Sequence, residues 1–85
     1  MIPSQDMFVK YRVVNGTKFL ERNYEVFKLD EVGEIIWNLI DGENSVTDIV
    51  NKVASNYGVS EEKVFKDVEG FLKDLSSNNL IELVK

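Results

Sequence analysis

The first third of the chain alternates. Val9, Tyr11 and Val13 fall on one face of an extended segment, with Phe8, Lys10, Arg12 and Val14 on the other, and Asn15-Gly16 follows at once. Asn-Gly between two such runs predicts a hairpin, because both central residues of a type I′ turn take positive φ. The return strand is Thr17 to Arg22. A two-residue loop sets Lys10 opposite Glu21, Tyr11 opposite Leu20 and Arg12 opposite Phe19, pairings that are favourable or neutral. Asn23 then reverses the chain into a third run, Tyr24 to Leu29, and three antiparallel strands is the economical reading.

After Leu29 the period changes from two to 3.6. Asp30 is placed as an N-cap, and Val32, Ile35, Ile36, Leu39 and Ile40 follow at spacings of three and four, a first helix that ends at Asp41-Gly42. Trp37 flanks this stripe and is assigned to the core. Ser45-Val46-Thr47-Asp48 resembles a capping box with aspartate in the glutamate slot, and it leads into Ile49, Val50, Val53, Ala54 and Tyr57. Gly58 is placed to end that second helix in the left-handed conformation. Ser60 caps a third helix with Glu61 and Glu62 in its first turn, and Val59 and Val64 stand at the positions of a hydrophobic staple. Its apolar set is Val64, Phe65, Val68, Phe71, Leu72 and Leu75, and it stops in Ser76-Ser77-Asn78-Asn79. Leu80 to Val84 reads as a short strand or a packed tail. The expected fold is α+β: a winged helix-turn-helix with an N-terminal three-stranded antiparallel sheet followed by three helices, one domain over residues 1–85.

Composition narrows what such a domain can do. The chain has 85 residues, 44% hydrophobic, with no histidine and no cysteine. Disulfides, thiolate nucleophiles, imidazole bases and the Cys/His ligands of most structural zinc sites are thereby removed. No apolar run approaches the ~20 residues that span a bilayer, and Met1-Ile2-Pro3-Ser4-Gln5-Asp6 has neither a basic start nor an apolar core of a secretory signal. A cytoplasmic protein with no membrane span and no cofactor is expected. The sequence holds no P-loop, no Gly-x-Gly-x-x-Gly and no Gly-x-Ser-x-Gly. Asp67 and Asp74 share a helix, but seven residues separate them by about 10 Å along the axis, wide for an acid/base pair. No enzyme is expected.

Charge is unevenly spread. Residues 1–29 carry five bases against three acids, a balance of +2, and residues 30–85 carry five against twelve, a balance of −7. A helix-turn-helix invites a DNA-binding reading, yet Lys63, Lys66 and Lys73 are outnumbered on the third helix by Glu61, Glu62, Asp67, Glu69 and Asp74. Such a helix is repelled by phosphates, so nucleic acid is disfavoured as a partner. Peptide binding fits better, because the outer edge of the third strand is a template for strand addition unless the N-terminal residues or the tail cover it.

At this point the residues resemble a family. Leu29-Asp30-Glu31-Val32-Gly33-Glu34-Ile35-Ile36-Trp37-Asn38-Leu39-Ile40-Asp41-Gly42 is similar to the PqqD-like proteins, in which Leu-Asn/Asp leads into a helix with a small residue, then Ile-Trp or Ile-Leu, and Asp-Gly. The likeness continues through Ser45-Val46-Thr47-Asp48-Ile49 and Tyr57-Gly58, resumes in Asp67 to Leu75, and takes in Leu80-Ile81, so that it covers residues 8–84. The resemblance implies a recognition element for ribosomally made, post-translationally modified peptides: a domain that binds the leader of a precursor and presents its core to a modifying enzyme. It implies a leader added as an antiparallel strand beside the third strand, in the groove shared with the third helix.

Carried over by position, the strand wall is Tyr24, Glu25, Val26, Phe27 and Lys28, and the helix wall is Val64, Asp67, Val68, Phe71, Leu72 and Leu75. Leu29, which heads the first helix, is assigned to the core. The helix positions cannot all serve both core and groove, and some are expected to line the boundary. Lys28 and Asp67 are the candidates for charged selection, on walls that differ in sign. Gly70, mid-helix, costs about 1 kcal/mol against alanine, which suits a close backbone approach or is merely tolerated. The implied partners are the precursor leader and a separate maturation enzyme, a leader peptidase or a radical-SAM protein, acted on in trans. The alternative is a winged-helix regulatory or adaptor domain with a protein partner. A domain-swapped homodimer through the strands is compatible with leader binding.

Overall fold

In the computed structural model, which describes residues 2–84, the chain runs β1 (Ile2–Gln5), β2 (Lys10–Val14), β3 (Thr17–Arg22), β4 (Glu25–Leu29), α1 (Glu31–Leu39), α2 (Val46–Tyr57), α3 (Glu61–Ser77) and β5 (Ile81–Val84). Asn15 and Gly16 take φ of 49° and 80°, the two positive values that the β2–β3 turn requires. The register is the expected one, with Lys10 opposite Glu21, Tyr11 opposite Leu20 and Arg12 opposite Phe19. The β3–β4 turn corrects the reading of Tyr24. Arg22 pairs with Glu25, so the loop holds two residues, and Tyr24 joins Asn23 at positive φ (66° and 52°) instead of opening the strand. A two-residue reversal needs a second left-handed residue, and the only one left to supply it is Tyr24, whose side chain is 98% exposed.

The strands form two sheets where one was expected. β2-β3-β4 is one; the other is β1 paired antiparallel with β5, from Ile2 opposite Val84 to Gln5 opposite Ile81. The N-terminal residues and the tail therefore pair with each other. Neither covers β4, whose only strand neighbour among the described residues is β3. Asp6 ties the sheets together: its carboxylate accepts from Arg22 Nε and from the Phe8 N–H, both at 2.9 Å, and these bonds hold its pKa below the ordinary carboxylate value.

Each helix begins where its cap predicts. Asp30 accepts from the Gly33 N–H at 2.7 Å, Ser45 and Asp48 complete a reciprocal capping box, and Ser60 accepts from the Lys63 N–H. Gly58 ends α2 at φ 65°. α1 ends at Leu39 with Ile40 as its C-cap, about two residues before the expected Asp41-Gly42. The core lies between the helices and the inner face of β3 and β4: Leu20, Leu29, Ile36, Trp37, Ile40 and Ile49 meet Val64, Val68, Leu72 and Leu75. Glu34 on α1 clamps the sheet to the helical layer. It takes the Lys18 ammonium at 2.5 Å and the Tyr11 hydroxyl, bonds that keep its carboxyl ionised to lower pH. No helix among the described residues is long and apolar enough to cross a membrane.

Candidate functional site

A strand edge becomes a binding surface only where its backbone groups face outward. In an antiparallel pair closed by a two-residue turn, the closing residues exchange both hydrogen bonds and bonded pairs alternate with unbonded ones from there. Starting from Arg22–Glu25, the bonded pairs are Leu20–Phe27 and Lys18–Leu29, and the unbonded pairs are Glu21–Val26 and Phe19–Lys28. The N–H and C=O of Val26 and Lys28 therefore point away from β3, along the free edge of β4. Alternation turns Phe27 and Leu29 inward, where Leu29 is buried and Phe27 half-buried, while Val26 and Lys28 are exposed.

Beside that edge lies a groove of about 550 Å³. Phe27 and Lys28 form its strand side, and Asp67 and Phe71 its α3 side. The Phe27 and Phe71 rings meet edge to face, their centroids 6.1 Å apart at 66°, and tie the two walls together. The third side was not foreseen: Asp30, Val32, Gly33 and Ile36, from the cap and first turns of α1. Gly33 is the residue that lets α1 and α3 approach here. A Cβ at that position would stand 3.0 Å from Asp30 Oδ1 and 3.3 Å from the Phe71 ring, so any side chain would push against both the cap and the groove. A glycine inside an otherwise helical apolar run was the sequence signal for this contact.

The eleven residues implied by the resemblance divide three ways. Phe27, Lys28, Asp67 and Phe71 are brought together on the groove. Glu25 and Val26 lie on the open edge, and Tyr24 at its turn. Val64, Val68, Leu72 and Leu75 are buried in the core, away from the groove, because α3 turns this stripe toward α2 and the sheet. Leu72 also lines a second, smaller groove on the opposite flank of α3. Gly70 faces open space, with no heavy atom within 4 Å of where its Cβ would stand. The groove walls do differ in charge: Lys28 stands on the strand side, Asp30 and Asp67 on the helical side.

The fold that carries this edge and groove is shared with known proteins. A search of curated proteins finds no match. Among solved structures, TbiB1 in complex with the TbiA(beta) leader peptide is 25% identical, with 96% of this chain and 98% of that one covered at a TM-score of 0.82. The PqqD truncation of Methylobacterium extorquens PqqCD, a functional and stand-alone recognition element for ribosomally synthesised and post-translationally modified peptides, shares the fold at a TM-score of 0.81. It is 21% identical, with 96% and 89% covered. Residues 19–81, from β3 to the start of β5, match the family of coenzyme PQQ synthesis protein D, and with three-quarters of its length inside that match the chain belongs to the PqqD family.

Proposed function

We propose that this domain binds the leader segment of a ribosomally synthesised precursor peptide and holds it for a separate maturation enzyme, without doing chemistry itself. The leader joins β4 as a fourth antiparallel strand. Its backbone bonds to the N–H and C=O groups of Val26 and Lys28, which gives affinity and register without reading sequence. Its alternate side chains enter the groove, where Phe27, Phe71, Val32 and Ile36 select apolar anchors. Lys28 on one wall and Asp30 and Asp67 on the other favour leaders whose charges are placed in matching order.

The observation that carries this reading is the free edge of β4 lying directly over an apolar groove. The TbiB1 structure, similar over nearly the whole chain, holds a leader peptide. The enzyme served in trans is a leader peptidase or a radical-SAM protein, and the compartment is the cytoplasm, where precursor peptides are made. Titration of the purified protein with the leader of the precursor encoded beside its gene tests the proposal. Saturable one-to-one binding is expected; no binding at tens of micromolar contradicts it.

A further inference from the structure

Tyr24 is strained and serves no core. It takes φ 66° at the second place of the β3–β4 turn, where the matching residue of the β2–β3 turn is Gly16, and a bulky side chain in the left-handed region carries a steric cost that glycine does not. Its side chain is 98% exposed, so no packing offsets that cost. Strain kept at an exposed aromatic points to what the ring meets outside the domain.

A second exposed ring is held on the same surface. Phe8, 67% exposed, sits in the loop between β1 and β2, and that loop is fixed: the Asp6 carboxylate takes the Phe8 N–H and Arg22 Nε, both at 2.9 Å, and the Asp6 carbonyl takes the Val9 N–H at 3.2 Å. Phe8 and Tyr24 line one cleft of about 270 Å³ with Lys10, Glu21, Arg22 and Asn23. Arg22 is bound to Asp6, and Glu21 to Arg12 at 2.6 Å, whereas Lys10 has no ion-pair partner among the described residues. The cleft therefore offers two rings and one ammonium.

Strand polarity determines what reaches it. β4 runs from Glu25 to Leu29, so a leader antiparallel to it enters beside Leu29 and leaves beside Glu25. Beyond the leader residue paired with Val26, the next stands opposite Glu25 and the one after reaches Tyr24, about 7 Å further on. Glu21, on the cleft, is also the β3 partner of Val26, so the cleft abuts the exit end of the edge. A leader precedes its core, and the segment delivered here is the one that joins the two.

We propose that this cleft is a second subsite for the precursor, taking the residues that directly follow the β4-bound strand: an apolar or aromatic side chain against Phe8 and Tyr24, and a carboxylate at Lys10. The proposal rests on the leader reading of β4 and adds a direction to it. Rings on the exit side hold the peptide past its last backbone bond to β4, so the core leaves the domain at a fixed point.

Calorimetric titration with a nested set of synthetic peptides tests this, all starting at the N-terminus of the precursor encoded beside the gene and ending at successively later residues. Once a peptide is long enough to bind β4, extension through the following segment should raise affinity roughly five- to tenfold, the worth of one partly buried apolar contact. Tyr24→Gly, Phe8→Ser and Lys10→Glu should each reduce that gain and leave the shorter peptide's affinity unchanged. Glycine suits the turn, so Tyr24→Gly should keep the circular dichroism spectrum and melt no lower than wild type. Val13→Ser, exposed elsewhere on the β2–β3 hairpin, should change neither affinity. Longer peptides that bind wild type no tighter than the shorter one overturn the proposal and leave the β4 reading intact. So does a Tyr24→Gly variant that weakens both peptides equally, which would make the ring part of the β4 site, or a flat series in which Tyr24→Gly slows only the maturation enzyme, which would make the cleft an enzyme dock. A set in which no peptide binds at any length overturns the β4 reading and this one with it.

Discussion

Phe71 and Leu75 stand one turn apart on α3, yet one is half-buried at the rim of a groove and the other is fully enclosed. The difference is their angle about the helix axis. Val64, Val68, Leu72 and Leu75 form the stripe that the sheet and α2 require, and Phe71 lies one step outside it, against Phe27 and over Gly33. An apolar face wider than the core needs leaves surplus at its flank, and on this flank the surplus meets a free strand edge.

Substitutions that separate the two positions should separate stability from binding. The largest effect belongs to the enclosed one: Leu75→Ala should cost about 2–5 kcal/mol of folding free energy in chemical denaturation, while the folded fraction binds leader as before. Phe71→Asp should do the reverse. Loss of one apolar anchor is worth about 1.5–3 kcal/mol, so leader affinity should fall at least roughly tenfold by calorimetry, with a smaller change in the melting temperature. Equal losses in both assays would mean that Phe71 belongs to the core after all. Val26→Pro removes one outward donor and no bond to β3; leader affinity should drop roughly fivefold, the worth of about one hydrogen bond, in a domain that still folds. The finest test is Gly70→Ala. With open space around that position, stability should rise by about 1 kcal/mol and leader affinity should not move; weaker binding would show that the bound peptide approaches the backbone there.

What could be read from the sequence was local. The Asn15-Gly16 hairpin, its register, and the caps at Asp30, Ser45, Ser60 and Gly58 each depend on a few adjacent residues, and each stands where the pattern put it. The β1–β5 pair joins the two ends of the chain through four-residue strands, one containing Pro3, and nothing near either strand announces the other. By sequence Tyr24 reads as strand, because an aromatic next to an alternating run looks like one; the two-residue turn takes it instead. At the candidate site, Phe27, Lys28, Asp67 and Phe71 came from a resemblance and are gathered by the fold. The α1 side of the groove was hidden because it depends on how two helices cross, and only Gly33 hinted at that crossing.

Amide hydrogen exchange along β4, with and without leader, tests the central claim most directly. The N–H groups of Phe27 and Leu29 already bond to β3 and should exchange slowly in both states. Those of Val26 and Lys28 face outward and should exchange quickly in the free protein and slow sharply when the leader binds. Leader binding that leaves Val26 and Lys28 unprotected, or that protects Ile81 and Leu83 in their place, would contradict the account.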